Sequence, residues 1–250
     1  MHLQHASPPP PARPDWAYFL DVDGTLIDLA ATPASVHVDG DLLALLQRLQ
    51  VAGGGALALI SGRSLADLAH HLPGLAMPMA GQHGLERRDG GGRVHRPPLP
   101  AGALDDVRTV LGAQTLRFPA LLLEDKGMTL ALHYRQAPFL AGHVHQLMAR
   151  LAKAIGHHYT VQKGKYVAEL KPAGVDKGTA IAAYLSEPPF ADRRPVFIGD
   201  DANDEQGFAR VNLLGGLSIK VGPGPSCATH RLADVGAVRD WLGNALETTP

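Results

Sequence analysis

The octapeptide Tyr18-Phe19-Leu20-Asp21-Val22-Asp23-Gly24-Thr25 carries most of the information about how this chain folds. Its first three residues are apolar and are followed at once by polar ones, a pattern typical of a buried parallel strand that opens into a loop. In open parallel sheets, ligands bind beyond the carboxyl ends of the strands. We therefore expect Asp21 and Asp23 at the ligand-binding edge of an α/β sheet.

Strand and helix patterns alternate along the chain after this octapeptide. Residues 56–60 and 195–198 are further apolar runs, and a third strand is expected at residues 77–87. Leucines spaced at i, i+3, i+4 and i+7 within residues 42–49 predict a helix, and the polar residues Ser64 and Asp176 can cap two more. The sequence thus predicts an α/β core with a parallel sheet.

The middle of the chain follows a different pattern. Helices are expected near residue 104 and at residues 139–155, and each is followed by a pair of short strands. Tight connections at Lys126-Gly127 and Lys163-Gly164-Lys165 predict two antiparallel hairpins, so this part is an inserted α+β cap domain. The predicted domains are a disordered leader (1–14), the core (15–100 and 171–241), the cap (101–170) and a tail (242–250).

Composition narrows the classes of function. The chain has 250 residues, a formal net charge of −1 and 45% hydrophobic residues. A nearly neutral chain lacks the excess of basic residues that binding to nucleic acid or to an anionic membrane normally requires. No apolar run approaches the length of about 18 residues that spans a bilayer, residues 1–14 lack the order of a signal peptide, and Cys227 is the only cysteine. We expect a cytoplasmic protein that acts on a small molecule, with its oligomeric state open.

Carboxylates follow two of the predicted core strands. If the strand ends converge, five of them share one crevice, where like charges repel unless a cation joins them. Oxygen ligands favour magnesium over zinc. We predict Mg²⁺ as cofactor, and the alternative is a pair of ordinary acidic turns. The predicted ligands are Asp21, Asp23 and Asp200, with Asp201 and Asp204 as supporting carboxylates.

The same residues suit phosphoryl transfer. Asp21 could attack phosphorus while Asp23 protonates the leaving oxygen, and Gly24 would let the backbone turn closely around a phosphate. Lys177, in the first turn of a helix, opposes the helix dipole and could neutralise a phosphoryl group, although a solvated lysine beside Asp176 is an equal alternative. Ser61 could donate a hydrogen bond to a phosphoryl oxygen or be a simple turn residue.

These four sites occur in a familiar order. Asp21-Val-Asp-Gly-Thr, Ser61, Lys177 and Gly199-Asp-Asp match the four motifs of the haloacid dehalogenase superfamily of phosphatases. Over about residues 16–241 the chain also resembles trehalose-6-phosphate phosphatases of the bacterial type. The segments that carry this closer resemblance are 56–63, 80–84, 126–128, 132–138, 169–172 and 195–201. It implies a Rossmann-like haloacid dehalogenase core with a cap inserted between the second and third motifs. It also implies a magnesium-dependent hydrolysis of trehalose 6-phosphate through an aspartyl-phosphate.

The predicted cap sheet offers a polar face. Glu124 and Lys126 lie two residues apart and share a side of their strand, with Glu169 on a neighbouring strand. Residues 128, 130, 132 and 134 share the side that would pack against the cap helices. From the residues alone a solvated sheet face is the favoured interpretation, but the resemblance implies that Glu124, Lys126 and Glu169 bind glucose hydroxyls remote from the phosphate.

Three further residues are weaker candidates for substrate binding. Arg63 could pair with a phosphate or sugar oxygen, and His83, followed by Gly84, could reach the substrate from a third strand end. The other histidines show no metal-ligand spacing and are assigned no role. The alternatives left open are a phosphatase of sucrose phosphate or a hexose phosphate, a sugar phosphomutase, and a catalytically idle ligand-binding module.

Overall fold

The computed structural model describes residues 7–29, 36–99 and 102–247, and the chain forms two compact units. One unit contains Met1–Arg96 and Asp176–Pro250, and the other contains Pro97–Val175. The second unit extends beyond the predicted limit at residue 170 because its last strand continues to Pro172, which pairs with Tyr159. The other predicted limit, between residues 100 and 101, lies outside the described residues.

The first unit is built on a sheet of eight strands. Its order is β12-β11-β10-β1-β2-β3-β4-β5, and the neighbours from β12 to β3 are parallel. Strands β1, β2 and β10 are buried at every position, because helices cover both faces of a parallel sheet. The strands are β1 (Ala17–Leu20), β2 (Leu57–Ile60), β3 (Met79–Gly81), β4 (Glu86–Arg88), β5 (Val94–His95), β10 (Pro195–Gly199), β11 (Leu217–Val221) and β12 (His230–Leu232).

Two helices of this unit begin where the sequence predicts. Ser64 accepts a hydrogen bond from the Asp67 backbone N–H, and Asp176 forms a capping box with Thr179. The helices are α1 (Gly40–Ala52), α2 (Leu65–His71), α5 (Lys177–Leu185), α6 (Glu205–Leu213) and α7 (Val235–Glu247). Among the described residues, none of the helices is long and apolar enough to cross a membrane.

The third strand expected at residues 77–87 is wrong in its extent. It is divided by a 3₁₀ turn, Gln82–Gly84, after which β4 runs antiparallel to β3. Gln82 and His83 have φ values of 48° and 58°, in the left-handed region, so the chain reverses direction there. The apolar and polar residues of this segment resemble one strand because the turn contains only a single glycine.

The leader and the tail also differ from expectation where they are described. Ala12 is buried, and the Pro10 carbonyl accepts a hydrogen bond of 2.8 Å from the Trp241 indole. Leu242 and Ala245 are buried within α7. Ala12, Leu242 and Ala245 therefore belong to the apolar core of the first unit, whereas residues 1–6 and 248–250 lie outside the described residues.

The second unit contains the two predicted hairpins. Its sheet has the order β6-β7-β9-β8, and all its pairs are antiparallel. Leu130, Leu132 and Tyr134 belong to an apolar cluster with both helices, as expected, whereas Met128 lies outside that cluster. The elements are α3 (Asp105–Arg117), β6 (Leu122–Asp125), β7 (Leu130–His133), α4 (Ala141–Ile155), β8 (Tyr159–Gly164) and β9 (Val167–Pro172).

Candidate active site

A buried ion-pair cluster lies at the carboxyl end of β1. The Lys177 ammonium donates to Asp21 Oδ1 at 2.7 Å and to Asp204 Oδ1 at 2.5 Å. Lys177 is 1% exposed, Asp21 5% and Asp204 0%. A buried cation shared by two carboxylates compensates the cost of burying all three charges. This contact explains why a lysine stands in the first turn of α5, and it excludes the alternative of a solvated lysine.

Asp200 completes the cluster from the end of β10. A Cβ atom at Gly24 would lie 2.2 Å from Asp200 Oδ2, and Gly24 has φ = +81°. Both the close approach and the left-handed backbone require glycine at this position. The Lys220 ammonium donates to the Asp200 backbone carbonyl and, at 2.8 Å, to that of Val221. Lys220 thus fixes the start of the loop after β10 to β11, and Gly24 allows the loop after β1 to approach Asp200 closely.

The electrostatics of the cluster favour a bound cation. Burial and the repulsion of Asp204 raise the pKa of Asp200 to about 6, although the charge of Lys177 partly opposes this shift. Burial also raises the pKa of Asp21 well above its usual range, although Lys177 opposes the shift. For Lys177, burial disfavours the charge, but Asp204 and Asp21 raise its pKa above the ordinary value. The carboxylates of Asp21 and Asp200 would therefore be stabilised by a second positive charge.

The donor set fits magnesium. One carboxylate oxygen from each of Asp21, Asp200 and Asp204 lies within 4.8 Å of the other two. These are hard oxygen donors, which Mg²⁺ prefers and completes with water. Asp204 also serves the loop itself, because its Oδ2 accepts from the backbone N–H groups of Asp200 and Asp201 at 3.0 and 2.9 Å.

Two of the predicted ligands have other contacts in the structure. Both carboxylate oxygens of Asp23 accept hydrogen bonds of 2.7 Å from the Arg63 guanidinium, and Arg63 also donates to Asp67 at 2.7 Å. Asp201 caps the 3₁₀ turn Ala202–Asp204 by accepting from the Ala202 N–H. The carboxylates of Asp23 and Asp201 stand outside the group of Asp21, Asp200 and Asp204, because these local partners already hold them.

The loop after β2 is held by the turn after β3. The Gln82 N–H donates to the Arg63 carbonyl at 2.7 Å, and the His83 N–H donates to the Ser61 carbonyl at 2.9 Å. A Cβ at Gly62 would lie 2.8 Å from the His83 ring, so the two loops are in close contact. Ser61 is buried and its Oγ accepts from the Arg63 N–H at 3.1 Å. Gly84 ends this turn with φ = +108°.

The second unit carries its own polar cluster on the sheet face opposite the apolar one. Glu124 and Glu169 both pair with Ala131 in register, one from each neighbouring strand. The Lys126 ammonium lies 3.8 Å from Glu124 Oε2 and 3.4 Å from Glu169 Oε1. The Thr129 hydroxyl also donates to Glu169 Oε1, at 2.7 Å. The three residues predicted to bind sugar are therefore neighbours.

A hydrogen bond and a neighbouring charge keep Glu124 ionised. Burial alone would raise the pKa of Glu124, but a hydrogen bond from His133 and the charge of Lys126 hold it below its ordinary value. Glu124 is therefore an ionised hydrogen-bond acceptor at neutral pH. Two adjacent carboxylates and one ammonium are suited to bind a group rich in hydroxyls.

Sequence reasoning missed several residues that organise these sites. Asp67, which the sequence did not mark as a site residue, shares Arg63 with Asp23. Thr129 and His133 alternate with the apolar residues of β7, so the strand period could have placed them on the polar face. No pattern marks Lys220, because its partners are backbone carbonyls, one of the adjacent Val221 and one of Asp200, which is 20 residues away.

The chain is similar to known proteins over most of its length. Residues 19–235 match the family described as trehalose-phosphatase. The chain belongs to that family. It is 46% identical over 227 residues to a trehalose-6-phosphate phosphatase of Escherichia coli, covering 91% of this chain and 85% of the relative. It is 47% identical over 222 residues to a probable trehalose-phosphate phosphatase of Sinorhizobium fredii, covering 88% and 83%.

Solved structures support the same fold. A trehalose-6-phosphate phosphatase related protein superimposes with a TM-score of 0.77 at 26% identity, covering 92% of this chain and 96% of that one. A phosphatase of the HAD enzyme superfamily from Bacteroides thetaiotaomicron gives a TM-score of 0.64 at 16% identity, covering 96% and 95%. This member of the trehalose-phosphatase family thus has the α/β haloacid dehalogenase fold with an additional α+β unit, and its class is phosphoric monoester hydrolase.

Proposed function

We propose that this phosphatase hydrolyses trehalose 6-phosphate to trehalose and phosphate, with Mg²⁺ as cofactor and an aspartyl-phosphate intermediate on Asp21. The observation that carries the proposal is the buried Lys177 ammonium, 2.7 Å from Asp21 Oδ1. It holds a carboxylate at a strand end where a phosphate can approach, and supplies positive charge beside it. The family relationship and the polar cluster of the second unit support the choice of sugar. A cytoplasmic location, compatible with a single cysteine, belongs to the same proposal.

The first half-reaction transfers the phosphoryl group to the protein. A carboxylate oxygen of Asp21 attacks phosphorus as the bond from phosphorus to the sugar oxygen breaks. Asp23, protonated, gives its proton to the departing sugar oxygen. Arg63 must release the Asp23 carboxylate for this step, since a carboxylate bound through both oxygens has no proton to donate.

The second half-reaction hydrolyses the aspartyl-phosphate and regenerates the Asp21 carboxylate. Asp23, now ionised, removes a proton from water, and the resulting hydroxide attacks phosphorus and breaks its bond to Asp21. Lys177 neutralises charge on the phosphoryl group in both steps, and Ser61 and the backbone around Gly24 hold its oxygens. When bound, Mg²⁺ compensates the negative charge of the carboxylates and of the phosphoryl oxygens, and Asp21, Asp200 and Asp204 are the residues that would hold it.

Substrate choice would rest on the second unit. Hydroxyl groups far from phosphorus can provide binding energy that orients the reacting phosphate. We assign this role to Glu124, Lys126 and Glu169, with Arg63, His83 and Gly84 as weaker candidates in the first unit. Phosphate release from trehalose 6-phosphate, sucrose phosphate and glucose 6-phosphate, each with Mg²⁺, tests the proposal. A preference for another substrate would contradict the assignment of trehalose 6-phosphate, and absence of phosphate release would contradict the phosphatase mechanism.

Removal of the metal should stop the reaction. We expect chelation to abolish phosphate release and added Mg²⁺ to restore it. Asp200→Ala should raise the Mg²⁺ concentration for half-maximal activity by about tenfold or more, because the metal loses one charged ligand. Asp201→Ala is the matched control, because its carboxylate caps a turn, and a much smaller effect is expected. The Mg²⁺-dependent increase of the melting temperature without substrate gives a second measurement. Activity that persists after exhaustive chelation would refute a metal requirement.

Loss of Lys126 should act on substrate selection. Lys126→Ala removes a charge-assisted donor, so kcat/KM for trehalose 6-phosphate should fall on the order of ten- to hundredfold relative to kcat/KM for p-nitrophenyl phosphate, which has no sugar. Lys163→Ala, an exposed lysine of β8, is the control and should leave this ratio unchanged. Equal losses on both substrates would show that Lys126 supports the fold or the chemistry instead.

A further inference from the structure

One histidine of the second unit lies within the polar cluster without having been predicted there. His133 is at the end of β7, and its Nε2 lies 2.8 Å from Glu124 Oε2. Because a carboxylate only accepts hydrogen bonds, Nε2 must carry the hydrogen. The contact is diagonal between neighbouring strands, since His133 pairs in register with Leu122 and Glu124 pairs with Ala131.

The two oxygens of Glu124 are used differently. Oε2 receives the His133 hydrogen bond and lies 3.8 Å from the Lys126 ammonium. Within the described residues, Oε1 has no hydrogen-bond partner, and the side chain is 34% exposed. A glutamate has several rotatable bonds whose ordering costs free energy when a ligand binds. Fixing one oxygen in advance reduces that cost and leaves the other oxygen for a hydroxyl group.

The second carboxylate of the cluster is held in the same way. Thr129, fully buried and directly before β7, donates to Glu169 Oε1 at 2.7 Å. Thr129 and His133 thus flank Ala131 along the chain, and each donates to the glutamate of a different neighbouring strand. This symmetry of contacts indicates that the two hydrogen bonds serve the arrangement of the glutamates and are not isolated surface contacts.

We propose that His133 is a positioning residue for sugar recognition, which holds Glu124 Oε2 so that Oε1 can accept a hydrogen bond from a sugar hydroxyl. This inference rests on the proposed function, in which Glu124 binds the sugar. His133 acts through Glu124 and takes no part in phosphoryl transfer. Its effect therefore belongs to the affinity for the sugar and to the selection between substrates.

The first test compares two substitutions of His133. His133→Ala should raise KM for trehalose 6-phosphate about tenfold, the factor expected when one hydrogen bond to a charged group is lost, with little change in kcat. His133→Gln, whose amide N–H can reach the same oxygen, should restore most of the affinity. The matched control is His143→Ala, which removes another histidine of this unit that is hydrogen-bonded at 2.9 Å to Gln114, outside the polar cluster.

A double-mutant cycle separates positioning from direct binding. In a Glu124→Ala background, His133→Ala should have almost no further effect on KM, because the group it positions is gone. Additive losses would overturn the proposal by showing that His133 contacts the sugar independently. Failure of His133→Gln to restore affinity, or a fall in kcat equal for trehalose 6-phosphate and p-nitrophenyl phosphate, would also overturn it. Wild-type protein without preference for trehalose 6-phosphate would instead refute the proposed function.

Discussion

Asp21→Asn should reduce turnover by at least about 10⁴-fold, the scale of loss when an enzyme loses its nucleophile. A neutral amide cannot attack phosphorus, and the Asp23 carboxylate lies outside the group formed by Asp21, Asp200 and Asp204, so it does not take over the role. The fold should tolerate the change, since burial already raises the pKa of Asp21 and thereby opposes its charge. Asp204 remains to pair with Lys177. We expect a melting temperature within a few degrees of the wild type.

The measurement is phosphate release under single-turnover and steady-state conditions. Asp41→Asn, an exposed residue in the first turn of α1, is the matched control and should keep full activity. Mass spectrometry of acid-quenched wild type should detect a phosphorylated peptide that contains Asp21 and is absent from Asp21→Asn. Substantial residual activity in Asp21→Asn, or phosphate found on another residue, would refute the assignment of the nucleophile.

Lys177→Met should impair both activity and stability. Without the ammonium, Asp21 and Asp204 remain buried without their shared cation, and breaking a buried pair in this way costs about 3–5 kcal/mol. Activity should fall by about 10³-fold or more, because the phosphoryl group loses a positive charge that stabilises it during transfer.

The pH dependence of this loss of stability follows from the direction in which the pKa of Lys177 is shifted. The pKa of Lys177 is raised in the folded protein, so its contribution to stability is complete below its unfolded pKa and is lost only as pH rises through the folded value. The difference in the free energy of unfolding between wild type and Lys177→Met should therefore be fully present at neutral pH. Added Mg²⁺ should recover part of the stability but not the activity. Lys153→Met, exposed on α4, is the control, and equal stability of Lys177→Met and wild type at neutral pH would contradict the buried pair.

Local patterns predicted the elements whose signals lie close together in the chain. The apolar runs of β1, β2 and β10 end at polar residues, and the capping residues Ser64 and Asp176 mark the starts of two helices. Both hairpins of the second unit were predictable for the same reason. The turn at Gln82 and His83 was not predictable, because non-glycine residues rarely adopt positive φ and these side chains give no signal of it.

Contacts between distant residues were beyond these patterns. The division of Arg63 between Asp23 and Asp67, the role of Lys220 and the hydrogen bond from His133 to Glu124 depend on distances between side chains. A sequence period gives the face on which a residue lies, but it gives neither its rotamer nor its partner on another element.

The amino-acid sequence alone established the residue types at the ends of the core strands, and with them the carboxylates and the lysine that phosphoryl transfer requires. It did so because each strand end is a local change from apolar to polar residues. The packing of the folded chain determined which carboxylates come together. Lys177 forms ion pairs with Asp21 and Asp204, whereas Asp23 forms an ion pair with Arg63. The physical reason is that buried charges are stable only where their partners lie within about 3 Å, and only the folded backbone sets that distance.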